Sequence, residues 1–594
     1  MKYLFTIIFL ISSLFASVET TDTNTSIDIK SDTNTSTDMN ITIVDYHSDI
    51  KHYFNSSQKL GINIQKRPLR IYYKKIKYEL MWFKDNTLNS TYVELIKYSK
   101  NDQIISTKAK KNFNIQEIED LLKNYDENSL TTTQTLQLDF LLTNLYDEYI
   151  KCVSRGSIDW KIFKDELKEM YEEDDIVANW EKYSAKINKY KLLKKTLNQK
   201  DFLITMNKTN YSYPNAKKLN NKLLEYEDIL KNGGYSTVPT VKKSLKVGMK
   251  SSVVPELKTR LIQSSDLIVL DNNITNNQTM LDNNITKINN TIYTKEIAKA
   301  VKSFQKNHGL AVDGICGKDT IRHLNISVKK KIYQIKVNLE RMRWMRRDLG
   351  KEYLLVNIPD YNLRYYKDKK EVLKLSVVVG TKKHPTPVFS HRLSTVVLNP
   401  YWRVPKRIVQ REIIPKLVKN SSYLNNKDMN IHENWSNESP TFDPTEIDWS
   451  LYAQNDEQKL EKQYPDVPYR FIQTPGKKNP LGKMKFMFRN RYMVYLHDTS
   501  ARYLFNKRKR AFSHGCIRVH NPSKLLKTIA KKDKSFDYKE AKVILKDVNQ
   551  TEITLTKRIP IHIVYLTAWI DDNNKMQFRD DIYGYDKMQS DILY

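Results

Sequence analysis

The feature that most constrains this chain is a change in the period of its apolar residues near residue 353. Between about residues 51 and 240 apolar side chains recur three and four apart. The clearest case is Thr132 to Tyr149, where Leu136, Leu138, Phe140, Leu141, Leu145 and Tyr146 form one stripe. From Tyr353 the period becomes two, in YLLVNIP from 353, NLRYYKD from 362, VLKLSVVVG from 372, RLSTVVLNP from 392 and MVYLH from 493. One bundle or one sheet cannot carry both patterns, so the chain reads as a multidomain α+β protein, helical first and mainly β afterwards. Its 594 residues suffice for about three to four domains at roughly 150 residues each. With 40% hydrophobic residues it is no disordered tail, and a mean hydropathy of -0.62 excludes a polytopic membrane protein.

Residues 1–16 carry Lys2, an apolar run from Leu4 to Phe15 and small residues at Ala16 and Ser17, the pattern of an export signal. The run falls short of the ~20 residues a spanning helix needs, and an uncleaved anchor is the alternative. Residues 17–50, rich in Thr, Asp, Asn and Ser, read as a flexible linker. Removing residues 1–16 leaves a net charge of 31 − 1 = +30. That charge suits a polyanion, but export argues against nucleic acid; an anionic wall or membrane surface and a Lys-rich composition remain.

A helical segment at 51–240 shows no catalytic constellation. Residues 241–326 read as a second, small helical module interrupted by an Asn-rich insertion at 270–291. A turn at Val312-Asp313-Gly314 separates its last two helices. A connecting helix is expected at 327–350, a β domain at 351–570 and a tail at 571–594. Within the β domain, residues from about 406 to 483 carry Pro, Asn and aromatics without regular alternation and read as a lid or substrate loop.

The chemistry concentrates in Tyr495 to Asn521, where His497 precedes Ser513-His514-Gly515-Cys516 and Arg518 follows. A cysteine nucleophile needs a base or cation nearby, and His497 at the end of one strand can face Cys516 at the start of another. Gly515 leaves room for substrate, while Arg518 and Arg508 to Arg510 supply positive charge. The bland alternative makes Cys516 a small buried hydrophobe and the histidines ordinary core or surface residues. Neither His384, His391 nor His520 has ligand spacing, and no metal or other cofactor is called for.

Ser513-His-Gly-Cys516 with His497 and Arg518 resembles the signature of the L,D-transpeptidase catalytic domain, the YkuD fold. Gly380-TKKHPTPVFS-Ser390, Leu398-NPYWRVP-Pro405, Pro480-LGKMKF-Phe486 and Pro560-IHIVYLTAW-Trp569 with Gln577-FRDDIYG-Gly584 resemble further blocks of the large multidomain periplasmic members. In the same comparison 51–240 resembles a scaffold domain, and AVKSFQKNHGLAVDGICGKDT within 241–326 resembles a peptidoglycan-binding domain. The chain departs from that pattern in the Asn-rich insertion and at Cys316, where an apolar residue is usual.

The resemblance implies a periplasmic enzyme acting on peptidoglycan stems, with Cys516 attacking a donor tetrapeptide, releasing D-Ala and passing the acyl group to an acceptor stem as a 3→3 cross-link. An outer-membrane lipoprotein is a further acceptor it leaves open. His497 would be general base and then acid, and the N–H groups of Gly515 and Cys516 oxyanion donors. Arg518 would hold a stem carboxylate or stabilise its strand. Trp402 and Tyr495 match cleft positions, Ser513 and His514 shape the turn, and Asp498 or a backbone carbonyl orients His497. Two other readings stay open: an L,D-carboxypeptidase, in which water resolves the thioester, and a non-catalytic wall-binding scaffold protein.

Three cysteines, Cys152, Cys316 and Cys516, leave at least one unpaired, and the first two could pair. Asn24, Asn34, Asn40, Asn273 and Asn284 each have Asp two residues before and Ser or Thr two after, which resembles the bacterial N-glycosylation sequon or reflects composition alone.

Overall fold

A computed structural model describes residues 46–57, 59–170, 178–209, 211, 213–268, 291–455, 458 and 463–594. The expected export signal, linker residues 17–45, insertion residues 270–290 and the five sequon asparagines lie outside the described residues. The linker expectation ends later than the structure allows, because a helix already begins at Tyr46 and buries Ile50, Tyr53 and Phe54. No helix among the described residues is long and apolar enough to cross a membrane.

The first region is helical and centres on α1 (Thr132–Arg155). Thr131 accepts the Gln134 N–H and the Gln134 side chain returns a bond to the Thr131 N–H, a capping box that sets the start. Gly156 ends the helix at φ +81, where a Cβ would sit 2.4 Å from Glu340 Oε1. Cys152 packs in this core. The small module comprises α2 (Val254–Gln263), α3 (Lys295–Asn307) and α4 (Lys318–Leu324) around Leu257, Val301, Phe304 and Cys316. Cys152 and Cys316 are thus free, buried and in different cores.

The connecting helix α5 (Val328–Arg343) joins these regions to the β domain. Glu340, fully buried, accepts the N–H groups of Ser157 (2.5 Å) and Ile158 (3.0 Å) just past the end of α1. Arg343 pairs with Asp102 at 2.7 Å.

The β domain contains β1 (Glu352–Asn357), β2 (Asn362–Lys367), β3 (Lys370–Gly380), β4 (Phe389–Leu398), β5 (Trp402–Arg403), β6 (Met429–His432), β7 (Thr441–Phe442), β8 (Arg470–Gln473), β9 (Met484–Met487), β10 (Leu496–His497), β11 (Ala511–Ser513), β12 (Ile517–Val519), β13 (Thr551–Val564), β14 (Ala568–Ile570) and β15 (Met576–Phe578). Nine strands form one sheet in the order β11-β3-β12-β10-β9-β4-β13-β1-β2, and an additional β2–β3 pairing closes it on itself. Alternate residues such as Val396, Phe486, Leu496, Ile517 and Val519 fill its interior.

Two segments differ from the sequence reading. The stretch between β4 and β9 is not a bare loop: β5-β8-β6-β7 make a four-stranded sheet over a core of Val404, Ile413, Leu417, Ile431 and Phe471. Its strands are two to four residues long, too short to show an alternating pattern. Residues 571–594 are no loose tail either, since β15 pairs with β14 and α6 (Tyr585–Leu593) packs on α5. There Arg341, almost fully buried, pairs with Asp586 at 2.6 Å.

Candidate active site

The pairing of β10 with β12 builds the site. The strands run parallel, with Leu496 opposite Ile517 and His497 opposite Arg518, and the Ile517 N–H donates to the Tyr495 carbonyl at 3.1 Å. Leu496, Ile517 and Val519 point into the core. By strand alternation Tyr495, His497, Cys516 and Arg518 therefore share the opposite face, and Lys485, paired with His497, joins them.

The turn before β12 presents the thiol. Gly515 has φ +109, a conformation that disfavours any side chain. Ser513 Oγ donates to the Cys516 carbonyl at 2.5 Å and accepts the Gly515 N–H at 3.2 Å, so that N–H is already engaged. The Cys516 N–H has no bonding partner among the described residues and is the free donor at this turn. Thr386 Oγ1 donates to the Gly515 carbonyl at 2.9 Å, and Tyr583 OH, from the C-terminal segment, accepts the Thr386 N–H at 3.2 Å and donates to the Gly380 carbonyl at 2.8 Å. Two loops and the chain end thus brace the turn.

His497 is buried, and its Nδ1 lies 2.5 Å from the Asp498 carbonyl. That contact requires the proton on Nδ1 and leaves Nε2 as the basic nitrogen. Burial, then the Arg518 guanidinium and Lys485, hold the His497 pKa down to about 3. Burial likewise raises the Cys516 thiol above its ordinary value, against the Tyr495 hydrogen bonds and the Lys485 and Arg518 charges that favour thiolate. At neutral pH the resting pair is therefore neutral thiol and neutral imidazole rather than an ion pair. The thiol donates weakly to the Met493 carbonyl at 3.9 Å. Lys485 Nζ sits 4.1 Å from the Tyr495 ring centre, and that ring lies 5.6 Å from the His497 ring. Arg518 Nε is buried without a hydrogen-bond partner among the described residues.

The Asp498 carboxylate turns away from the imidazole: it accepts the Lys483 N–H at 3.0 Å, beside Gly482, so of the two proposed orienters the backbone carbonyl is the one in contact. His514 stacks on His384 with ring centres 4.6 Å apart, and its Nε2 meets Glu412 Oε1 at 2.6 Å. Glu412 belongs to a π-helical turn, Val409–Ile413, in the inserted subdomain. Burial, then His514, Arg407 and Arg411, lower the His384 pKa to about 4.

The structure brings seven of the eight sequence-derived residues, Cys516, His497, Gly515, Arg518, Tyr495, Ser513 and His514, to one turn and strand pair. Trp402 stands apart on β5, opposite Gln473, half-buried against the inserted subdomain's apolar core. His520 lies beside Phe505, 4.9 Å between ring centres. Among the described residues no three His, Cys, Asp or Glu side chains converge as metal ligands would. Sequence reasoning missed Lys485, Glu412, Thr386 and Tyr583. Of these, Thr386, Lys485 and Tyr583 lie inside blocks that carry the resemblance and could have been found there.

Comparison with known proteins defines the class of this domain. Residues 351–544 match the L,D-transpeptidase catalytic domain (YkuD), 271–324 match a putative peptidoglycan binding domain and 67–223 match a scaffold domain. The chain thus carries an L,D-transpeptidase catalytic domain of the YkuD family behind scaffold and peptidoglycan-binding domains. A relative from Haemophilus influenzae, "Putative L,D-transpeptidase", is 35% identical over 234 residues, 39% of this chain and 44% of that protein. The match thus spans less than half of the relative's length. Among solved structures, an L,D-transpeptidase from Stackebrandtia nassauensis is 12% identical, covering 55% of this chain and 96% of that one at a TM-score of 0.20. An L,D-transpeptidase from Mycobacterium smegmatis is also 12% identical, covering 36% and 58% at a TM-score of 0.17.

Proposed function

We propose that this protein is a periplasmic L,D-transpeptidase that forms 3→3 peptidoglycan cross-links through a thioester on Cys516. The observation that carries the reading is a half-buried thiol sharing one sheet face with an imidazole whose Nε2 is free to take a proton, within a YkuD domain. As the thiol attacks the carbonyl of the third stem residue, His497 Nε2 takes its proton. His497 then returns that proton to the amine of the departing D-Ala as the carbon–nitrogen bond breaks. An amine of a second stem attacks the thioester, His497 removes its proton, and the Cys516 sulfur leaves with the new amide formed.

The free Cys516 N–H is the oxyanion donor in this scheme, and Gly515 serves through its backbone conformation, its own N–H being held by Ser513. Lys485 and Arg518 stabilise the thiolate as it develops. The inserted subdomain, touching the turn through Glu412 and His514, covers the stem and selects what resolves the thioester. A lysine amine of an outer-membrane lipoprotein and water are the competing second nucleophiles.

The test is mass spectrometry of products after incubating residues 17–594, wild type and Cys516→Ala, with purified disaccharide tetrapeptide. A cross-linked dimer from wild type alone supports transpeptidation. Tripeptide alone replaces it with the carboxypeptidase, and no product from folded protein leaves a wall-binding scaffold protein.

A further inference from the structure

The hairpin between β9 and β10 closes on a residue whose backbone does not suit its type. Asn490 organises the turn. Its side chain accepts the Tyr492 and Val494 N–H groups at 3.0 and 3.2 Å and donates to the Phe488 and Val494 carbonyls at 2.6 and 2.7 Å. Its own carbonyl accepts the Met493 N–H at 3.3 Å. Met493 is thereby held at φ +54, in the left-handed region where a turn of this kind favours glycine. Packing does not offset that cost, because the Met493 side chain is 79% exposed, more than any other large apolar side chain among the described residues. Backbone strain with no packing to hold it points to function.

Met493 stands at the nucleophile, since its carbonyl is the group to which the Cys516 thiol donates at 3.9 Å. In the sheet β12 has β3 on one side and β10 on the other, so the thiol at its start has two rims. On the β3 side His514 stacks on His384, in the loop after β3, and meets Glu412 of the inserted subdomain. On the β10 side stands Met493 with its side chain in solvent. The inserted subdomain bounds the first rim and leaves the second open. Thioester formation removes the thiol proton and leaves the Met493 carbonyl without that donor. The amine that attacks the acyl carbon, one bond from sulfur, brings two N–H groups: one proton goes to His497, and the other N–H can donate to this carbonyl. Beside it the methionine offers a flexible apolar chain to whatever carries the amine.

We propose that Met493 is a specificity residue for the acceptor, its side chain packing on the aliphatic chain that bears the attacking amine at the open rim of the thiol. The inference rests on the transpeptidase reading above and deepens it by placing the second stem on the β10 side.

The test uses residues 17–594 with disaccharide tetrapeptide as donor at a low fixed concentration and disaccharide tripeptide, which has no D-Ala to lose, as the varied acceptor. Met493→Gly keeps the carbonyl, suits the left-handed backbone and removes the side chain. It should unfold at no lower denaturant concentration than wild type. We expect its KM for tripeptide to rise about fivefold or more, while single-turnover release of D-Ala changes less than about twofold. Met493→Leu, apolar at the same place, should hold KM within about twofold of wild type, whereas Met493→Asn, which takes the same φ with a polar side chain, should follow Met493→Gly. An unchanged KM in Met493→Gly overturns the inference. So does slowed D-Ala release with KM unchanged, which would put Met493 on the donor, and so does a loss of stability in Met493→Gly, which would make the side chain a packing element. If wild type releases D-Ala but forms no cross-link, the transpeptidase reading fails and the inference with it. Cross-links formed with a KM indifferent to residue 493 refute the inference alone.

Discussion

Two regions of this molecule bury ionisable groups and use them in opposite ways. Where α1 meets α5, Glu340 takes two backbone N–H groups, Arg343 pairs with Asp102, and Arg343 NH1 lies 3.6 Å from Glu340 Oε2. The charges persist because each faces an opposite charge or a donor, and the result is a rigid joint between the helical region and the β domain. On the catalytic face the equivalents lack such partners. His497 and Cys516 respond to burial by staying neutral, whereas a buried guanidinium nitrogen without an acceptor occurs in both regions, at Arg518 Nε and at Arg343 Nε. Paired burial builds structure, and unpaired burial leaves titratable groups with shifted pKa values, the mark of a candidate functional site.

The sharpest separation is expected at Cys516 and His497. Cys516→Ala should abolish cross-link formation, and His497→Ala should lower kcat by about 10²–10⁴-fold, both with the cooperative thermal transition retained. Circular dichroism melts beside the product assay check this. A transition lost in Cys516→Ala would mean the turn is structural and break the comparison.

Next in size is the converse. Glu340→Ala leaves the Ser157 and Ile158 N–H groups without an acceptor while Arg343 keeps Asp102, and should cost about 2–6 kcal/mol of stability, at roughly 1–3 kcal/mol per buried donor, read from denaturant unfolding of the full chain. Turnover per folded molecule should not change. A variant that kept its stability but lost activity would show that the joint acts on the site.

The pH behaviour follows from the neutral pair. Because burial raises the Cys516 thiol, alkylation by iodoacetamide should keep climbing above pH ~8.5 rather than level off near neutrality. Lys485→Met removes a cation that favours the thiolate and should move the rise to higher pH. A plateau already at pH 6–7 would reveal a thiolate–imidazolium pair and refute the description. His497 adds a stability effect of defined sign. Its folded pKa of about 3 lies below an unfolded value near 6.5, so the unfolded chain takes up the proton first as pH falls. Stability from this residue is complete above pH ~6.5 and is lost progressively toward pH ~3, and His497→Gln should flatten that slope.

How much of this could be read in the sequence depends on how far apart the partners are. Ser513 to Cys516 is a continuous turn, and its Gly515 and Cys516 announce their roles locally. His497 joins through a motif with fixed order. The brace on the turn is another matter, because Tyr583 sits in a recognised block but reaches Gly380 across 203 positions, a contact that nothing local announces. Lys485 lies inside a recognised block, but that it faces the site follows from the register that sets it opposite His497. The inserted subdomain escaped because two- to four-residue strands carry no periodic signal, although its apolar residues suffice for a core of their own. Trp402 shows the same limit from the other side: its position in the sequence block was recognised, but that its ring packs on the inserted core follows from β5 pairing with β8.

The smallest expected effect tests a contact intermediate between the two regions. Glu412 and His514 are paired at 2.6 Å like the joint, yet both are nearly half exposed like a surface pair. The His514 hydrogen bond holds the Glu412 carboxyl below its ordinary range. In such exposure a polar contact is worth about 0–1 kcal/mol, so His514→Ala should raise KM by no more than about fivefold. Glu412→Gln should do the same, and the double variant should be no worse than either single one if the two act only through each other. Effects that simply multiplied would mean that each touches substrate independently, which would move His514 from the paired to the unpaired set.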